Sequence, residues 1–316
     1  MKNRGKDFMV VLWLWATTLT LCAQDVAVPC FAGYLSGFSR DTLALQILLD
    51  RQHISCNCVD GVWGMRTEVA LLTWQTLQGV PATGIPDATI LEALGGDTNL
   101  LSRYVVSESD YQQLGAYPEA WEERAKLTTM AYETIQELLA EKGHTSQRAL
   151  ERLNPGVNWP NPALGTELDL PNCEYQKPAC AGSIRIALGR MEITVFNPEG
   201  KLIALFPCSI ARNKSQRPSG EVTIKNIAPN PNYTYDPELF ASGGAQKSKL
   251  LIPPGPNNPV GRAWIGLSLQ GYGIHGTPLP ENIGRAESKG CFRLSNWNAV
   301  KLSEMVEVGL RVMIEE

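Results

Sequence analysis

Apolar positions change period three times along the chain. Leu43, Leu45 and Ile47-Leu48-Leu49 recur at helical spacing, with Asp41 as a candidate cap. The turn-rich stretch Asp60-Gly61-Val62-Trp63-Gly64 follows, then a second helical segment over 67–75, a Gly/Pro turn over 79–86 and a third helix over 87–94. A second helical region runs over 132–143 and closes on Gly143. Ser146 starts a short helix over 149–154, and the segment ends in Gly165 to Pro171. From Ala181 the period becomes two. Ile184, Ile186 and Leu188 alternate with Arg185 and Ala187, and Met191, Ile193 and Val195 alternate with Glu192 and Thr194. Half-buried antiparallel strands have this pattern. Further strands are predicted over 201–206, 220–224 and 262–269, then a helix over 297–308 capped by Ser295 or Asn296, and a last strand over 310–314. The Pro/Asn-dense stretches 226–237 and 252–259 read as surface loops.

The extreme N-terminus is different. Lys2, Arg4 and Lys6 precede the apolar run Phe8–Ala16, and small residues follow to Ala23. This order predicts a signal peptide over 1–23, cleaved after Cys22 or Ala23, and hence an exported protein of the periplasm or cell wall. The run is too short for a stable transmembrane helix, and no later segment suits one, so the mature chain is expected to carry none.

Composition adds three constraints. At 316 residues and 44% hydrophobic content the chain is globular and long enough for about two or three domains. A net charge of −4 leaves no basic excess for phosphates, which argues against nucleic acid. Eight cysteines stand beside only three histidines. Export permits disulfides. Removing Cys22 leaves an odd number of thiols, with Cys173–Cys180 and Cys30 to Cys56 or Cys58 as candidate pairs and Cys208 either paired or a buried thiol.

In the β-rich region one histidine, His275, lies sixteen residues before Cys291, both among glycines. An imidazole can activate a thiol as nucleophile, and glycines beside it leave N–H groups for an oxyanion. Lys289 would add a positive field. A disulfide-bonded cysteine and a structural histidine are the other readings of this spacing.

Three segments resemble known families. Leu45-Gln46, Asp60-Gly61-x-Trp63-Gly64-x-x-Thr67, Trp74-Gln75 and Gly84 make 38–96 similar to a three-helix peptidoglycan-binding domain. His53, Cys56 and Cys58 replace that family's glycine-rich turn and could be read as metal ligands, although a disulfide accounts for the cysteines more simply. Leu150-x-x-Leu153-Asn154 and Gly165-x-x-Leu168-x-Leu170-Pro171 make 127–172 resemble a LysM domain, a β-α-α-β unit, with its first strand missing. A helical spacer is the alternative. Between these modules, 97–126 reads as a connector with helical character and without chemistry.

Over 181–316, Tyr272-Gly273-Ile274-His275-Gly276-Thr277 and Ser288-Lys289-Gly290-Cys291-Phe292-Arg293 resemble the YkuD-type L,D-transpeptidase catalytic domain. The fold implied is multidomain α+β: a small three-helix bundle, a LysM-like unit and a C-terminal, mostly-β, sandwich-like catalytic domain. The implied chemistry is attack by Cys291 on a peptidoglycan stem tetrapeptide, release of D-Ala, and transfer of the thioester to an amine to make a 3→3 cross-link. His275 serves as base, the Gly276 carbonyl orients it, and Gly290 contributes to the oxyanion hole. Arg293 holds structure or a substrate carboxylate. Tyr272 and Thr277 are candidate pocket walls, and Ser288 and Lys289 border the nucleophile. No cofactor or metal is implied. Glycan, stem peptides and carbapenem-type inhibitors are the expected partners. The same site would serve an L,D-carboxypeptidase, a cross-link hydrolase or an enzyme that attaches proteins to the wall. A non-catalytic wall-binding protein is the reading from another class.

Overall fold

The computed structural model describes residues 37–316 except 97–98, 240–247 and 289; the side chains of 88, 239 and 286–288 are also outside the description. The predicted signal peptide, Cys22, Cys30, the Ser288 side chain and Lys289 therefore lie outside the described residues.

Three helices come first: α1 (Arg40–Arg51), α2 (Met65–Gln78) and α3 (Ala88–Ala93). Ser39, rather than Asp41, caps α1, its Oγ accepting the Asp41 and Thr42 amides at 3.2 and 3.5 Å. Gln46 fastens the turn that follows. Its Oε1 accepts the Asp60 and Gly61 amides at 2.9 and 2.7 Å, and its Nε2 donates to Thr67 Oγ1 at 3.0 Å. The helices enclose a core of Leu45, Leu48, Leu49, Leu71 and Trp74.

The segment expected to be a connector with helical character contains two short helices, α4 (Glu108–Tyr111) and α5 (Trp121–Arg124), and before them a strand that was not expected, β1 (Leu101–Val105). After α6 (Ile135–Lys142) and α7 (Gln147–Leu153) comes β2 (Glu167–Pro171), which pairs antiparallel with β1 from Leu101↔Pro171 to Val105↔Glu167. With β1 ahead of α6 and α7 and β2 behind them, the chain forms a β-α-α-β unit that carries the short helices α4 and α5 between its first strand and α6, and that strand lies upstream of the boundary expected at 127. Its sequence signal is short: Leu101, Tyr104 and Val105 are good strand formers, but Ser102 and Arg103 blur the alternation.

The remainder forms β3 (Ser183–Ala187), β4 (Glu192–Phe196), β5 (Leu202–Pro207), β6 (Ile210–Ala211), β7 (Gly220–Pro229), β8 (Tyr233–Tyr235), β9 (Leu250–Ile252), β10 (Ala263–Leu267), β11 (Gly273–His275), β12 (Ala286–Ser288), β13 (Phe292–Arg293), α8 (Asn296–Met305) and β14 (Arg311–Glu315). Eight strands make one sheet in the order β13-β11-β10-β7-β14-β3-β4-β5. Side chains from both ends of that order, Phe292 and Phe206 among them, share one buried cluster with Leu302 of α8. The sheet therefore curls around its core, which is the form taken by the mostly-β, sandwich-like domain expected here. β7 and β8 also run into the stretch read as irregular loop, because β7 pairs with β10 as far as Pro229↔Ala263.

The edge strand β5 does not face water. Leu205 exchanges backbone hydrogen bonds with His53 and Ser55 at 2.9 Å each, and its side chain enters the helical core. The turn after α1 thus covers a sheet edge that would otherwise invite pairing.

The expected Cys173–Cys180 disulfide is not formed, and the pairing expected for Cys30 lies outside the described residues. Cys56, Cys58, Cys173, Cys180, Cys208 and Cys291 are all thiols. Cys173 and Cys180 occupy opposite environments. Cys173 is buried, with Sγ 3.4 Å from the Gly143 carbonyl, whereas Cys180 is exposed. Cys208 is a buried core thiol.

Candidate active site

Register brings the candidate pair together. β10 and β11 are antiparallel with Trp264 opposite His275, and β11 and β13 are parallel with His275 opposite Arg293. Cys291 lies in the bend that leads into β13, where its Sγ donates to the Gly271 carbonyl at 3.5 Å. A cavity of about 1100 Å3 is lined by Cys291, His275, Arg293, Tyr272, Gly290 and Trp264, among others.

The imidazole is held from two sides. Its Nδ1 lies 2.7 Å from the Gly276 carbonyl, and the Trp264 ring stacks on it at 5.6 Å and 20°. A carbonyl only accepts, so Nδ1 carries the hydrogen and Nε2 is left with a lone pair. Burial lowers the His275 pKa to about 4; the Gly276 hydrogen bond opposes this and the Arg293 cation adds to it. Burial also raises the Cys291 thiol above its ordinary value, against the Gly273 amide and the Arg293 cation, which favour thiolate. Both directions favour a thiol and a neutral imidazole at neutral pH. A preformed thiolate–imidazolium pair would need the opposite shifts.

Backbone conformation sets the approach to the thiol. Gly290 has φ +156°, and a Cβ there would sit 3.1 Å from the Tyr272 ring. Tyr272 donates its hydroxyl to the Gln216 carbonyl at 3.0 Å, so the ring is tied down at the cavity wall. Thr277 is not among the lining residues. It is buried, and its Oγ1 accepts the Leu279 amide at 3.3 Å, which makes it part of a turn. Arg293 lines the cavity while its backbone pairs with Ser209 in both directions, at 2.9 and 3.0 Å.

The L,D-transpeptidase catalytic domain family, YkuD, matches residues 182–314. A Bacillus licheniformis protein assigned to the L,D-transpeptidases as YkuD is 30% identical over 182 residues, which span 58% of this chain and 93% of that protein. The chain belongs to the L,D-transpeptidase family. A Bacillus subtilis protein likewise assigned as YkuD is 32% identical over 131 residues, 42% of this chain and 64% of its own length. The Escherichia coli K12 protein ErfK/SrfK is 28% identical over 184 residues, 57% of this chain and 58% of its own. Among solved structures, an L,D-transpeptidase from Mycobacterium smegmatis is 19% identical, covers 54% of this chain and 86% of its own, and superposes with a TM-score of 0.35. The protein is accordingly a cysteine-dependent L,D-transpeptidase.

This transpeptidase builds its cavity from more than the family motif. Trp121 of α5 lines it beside Tyr233, and stacks on Tyr235 at 4.4 Å and 15°. Trp121 belongs to the segment read as a connector, and no spacing in the sequence marks it. Trp264 had a possible signal, as the aromatic of the strand leading into the His-Gly-Thr turn.

The metal alternative at His53, Cys56 and Cys58 does not materialise. Among the described residues the donors that converge are Asp50, His144 and Cys173, within 4.8 Å of one another. Lys301 Nζ stands 2.7 Å from Asp50 Oδ2, so that carboxylate already has a cationic partner.

Proposed function

We propose that Cys291 is the nucleophile and His275 the general base of a two-step acyl transfer on peptidoglycan stem peptides. One observation supports this above the rest: Cys291, in the bend that leads into β13, and His275, on the neighbouring strand β11, line one cavity. The Cys291 sulfur attacks the carbonyl of the amide between the L-centre of meso-diaminopimelate and the terminal D-Ala. The thiol proton passes to His275 Nε2 as the C–S bond forms. His275 then returns that proton to the departing D-Ala nitrogen, and a thioester remains. An amine of a second stem loses a proton to His275, attacks the thioester, and restores the thiol with a 3→3 cross-link made. The Gly290–Cys291 backbone amides offer donors to the oxyanion, a contribution of about 3–4 kcal/mol in enzymes of this logic. Arg293 supplies positive charge for a stem carboxylate. The helical module over 38–96 and the β-α-α-β unit would hold the glycan of the same polymer, in an exported enzyme.

Mass spectrometry after incubation with imipenem tests the nucleophile. One adduct on Cys291 and none on Cys291→Ala is expected; no adduct on the wild type would sink the reading. Incubation with disaccharide tetrapeptides then tests the transfer. Cross-linked dimers with free D-Ala are expected, whereas tripeptide without dimers would make water the acceptor.

A further inference from the structure

Behind the imidazole of His275, a carboxyl group from outside the catalytic domain ends a chain of direct contacts. Glu141 lies near the end of α6, in the β-α-α-β unit. Its Oε2 accepts from Asn296 Nδ2 at 2.7 Å. Its Oε1 accepts from the Tyr132 hydroxyl at 2.9 Å and lies 3.5 Å from Arg262. Asn296, at the first position of α8, is 1% exposed and its side-chain amide is fully used. Nδ2 also donates to the Pro256 carbonyl at 3.0 Å, and Oδ1 accepts the Arg262 amide at 3.1 Å. With two hydrogens given to acceptors and the oxygen facing a donor, only one orientation of this amide is satisfied.

That orientation bears on Gly276. A Cβ on Gly276 or on Gly261 would run into Asn296 Oδ1. The two glycine backbones thus close around the asparagine oxygen, and the Gly276 amide is fixed to the Ala263 carbonyl at 3.1 Å. The carbonyl of Gly276 is the group that accepts His275 Nδ1–H. A chain of direct contacts therefore runs Glu141, Asn296, Gly276, His275. Glu141 is the only carboxyl in it, and it is the member whose three donors, Asn296, Tyr132 and Arg262, all point inward to it.

We infer that Glu141 is a positioning residue for the catalytic base, so that the β-α-α-β unit completes the transpeptidase site. Its carboxyl holds the Asn296 amide in the one orientation that seats Gly276, and Gly276 aims the imidazole Nε2 at the thiol. This inference rests on His275 being the base. It implies that a change in the β-α-α-β unit, such as engagement of a glycan strand beside α6, reaches the chemistry through Asn296.

The test uses the full chain and imipenem, with the maximal acylation rate separated from the half-saturating concentration. Glu141→Gln keeps the shape but must turn an NH2 group toward one of three donors. It is expected to lower the maximal rate about tenfold, the scale on which small misplacements of catalytic groups act, with half-saturation changed less than about twofold. The acid limb of the pH–rate profile should move to lower pH, since a misplaced Gly276 carbonyl no longer favours imidazolium. Glu141→Asp, which retains a carboxyl, should recover part of the rate. Arg103→Ala, at an exposed ion pair of the same unit, should leave both parameters unchanged. An unaltered maximal rate and acid limb in Glu141→Gln would overturn the inference, as would an equal loss in Arg103→Ala. If the wild type forms no Cys291 adduct, the nucleophile assignment fails instead, and the two failures are distinct.

Discussion

Lys301 Nζ lies 2.7 Å from the Asp50 carboxylate, although 251 positions separate the two residues and neither side chain reaches solvent. Asp50 sits in α1 and Lys301 in α8, so the pair fastens the N-terminal helices to the catalytic sheet. His144, from the turn between α6 and α7, joins with Nδ1 2.7 Å from the same carboxylate oxygen, and its ring stacks on Trp297 at 5.4 Å and 8°. One buried cluster thus links all three segments of the fold. Breaking it from one side leaves a buried charge alone, at a cost of about 3–5 kcal/mol. Lys301→Met should lose stability on that scale in urea denaturation. Asp50→Leu combined with Lys301→Met should recover most of the loss. A single variant within about 0.5 kcal/mol of wild type would contradict the role given to the pair.

Acid should loosen the same junction in two stages. Burial opposes the Asp50 charge, but Lys301 and His144 outweigh it and hold the carboxyl far below the usual range. A lowered carboxylate pKa stabilises the fold above the unfolded value of about 3.9, and this is lost as pH falls below it. Burial lowers the His144 pKa as well, against the pull of Asp50, so the folded ring stays neutral and donates to the carboxylate. Its contribution is complete above the unfolded value of about 6.5 and declines as pH falls from there. Urea midpoints from about pH 8 to 3 should fall in these two windows, and His144→Phe should flatten the upper one. A midpoint that rises on acidification from about pH 7 to 5 would be the wrong sign.

Catalysis should show a different pH signature. His275 is lowered to about 4 by burial, so it is already an available base in mildly acidic solution. The thiol is raised, so free thiolate is scarce at neutral pH. Acylation by imipenem should be nearly flat from about pH 6 to 8 and fall only below about pH 5. A tenfold climb per unit through that neutral range would show that thiolate, and not base-assisted thiol, is the reacting form.

Trp121 should affect binding more than chemistry. It walls the cavity and stacks on Tyr235, whereas the ring stacked on His275 is that of Trp264. Trp121→Ala is expected to raise half-saturation for disaccharide tetrapeptide roughly threefold to tenfold, with the maximal rate within about twofold, the pattern of a lost binding contact. Trp264→Ala should show the reverse split. Identical effects from both would remove the distinction drawn between wall and support.

Much of this was legible in local patterns. Period-two alternation marked β3 and β4, Ser146 marked the start of α7, and the His-Gly-Thr and Ser-x-Gly-Cys-x-Arg pieces marked the pair His275 and Cys291. β1 was missed because five residues with two polar interruptions carry little periodic signal, and its stability comes from pairing with β2. The Cys173–Cys180 pair failed because seven residues of separation say nothing about which side chain faces the core.

By itself, the sequence determined most of the helices, the first strands of the catalytic sheet, the family and the identity of the nucleophile and base candidates, since these depend on residue type and on spacing of a few positions. Only the tertiary structure decided that a single sheet curls around one core, that Trp121 walls the cavity, that Glu141 reaches Asn296 across 155 positions, and that Asp50 meets Lys301. Such contacts depend on strand register and module docking, where the energy comes from burying complementary groups far apart in the chain, and no local pattern encodes which groups those are.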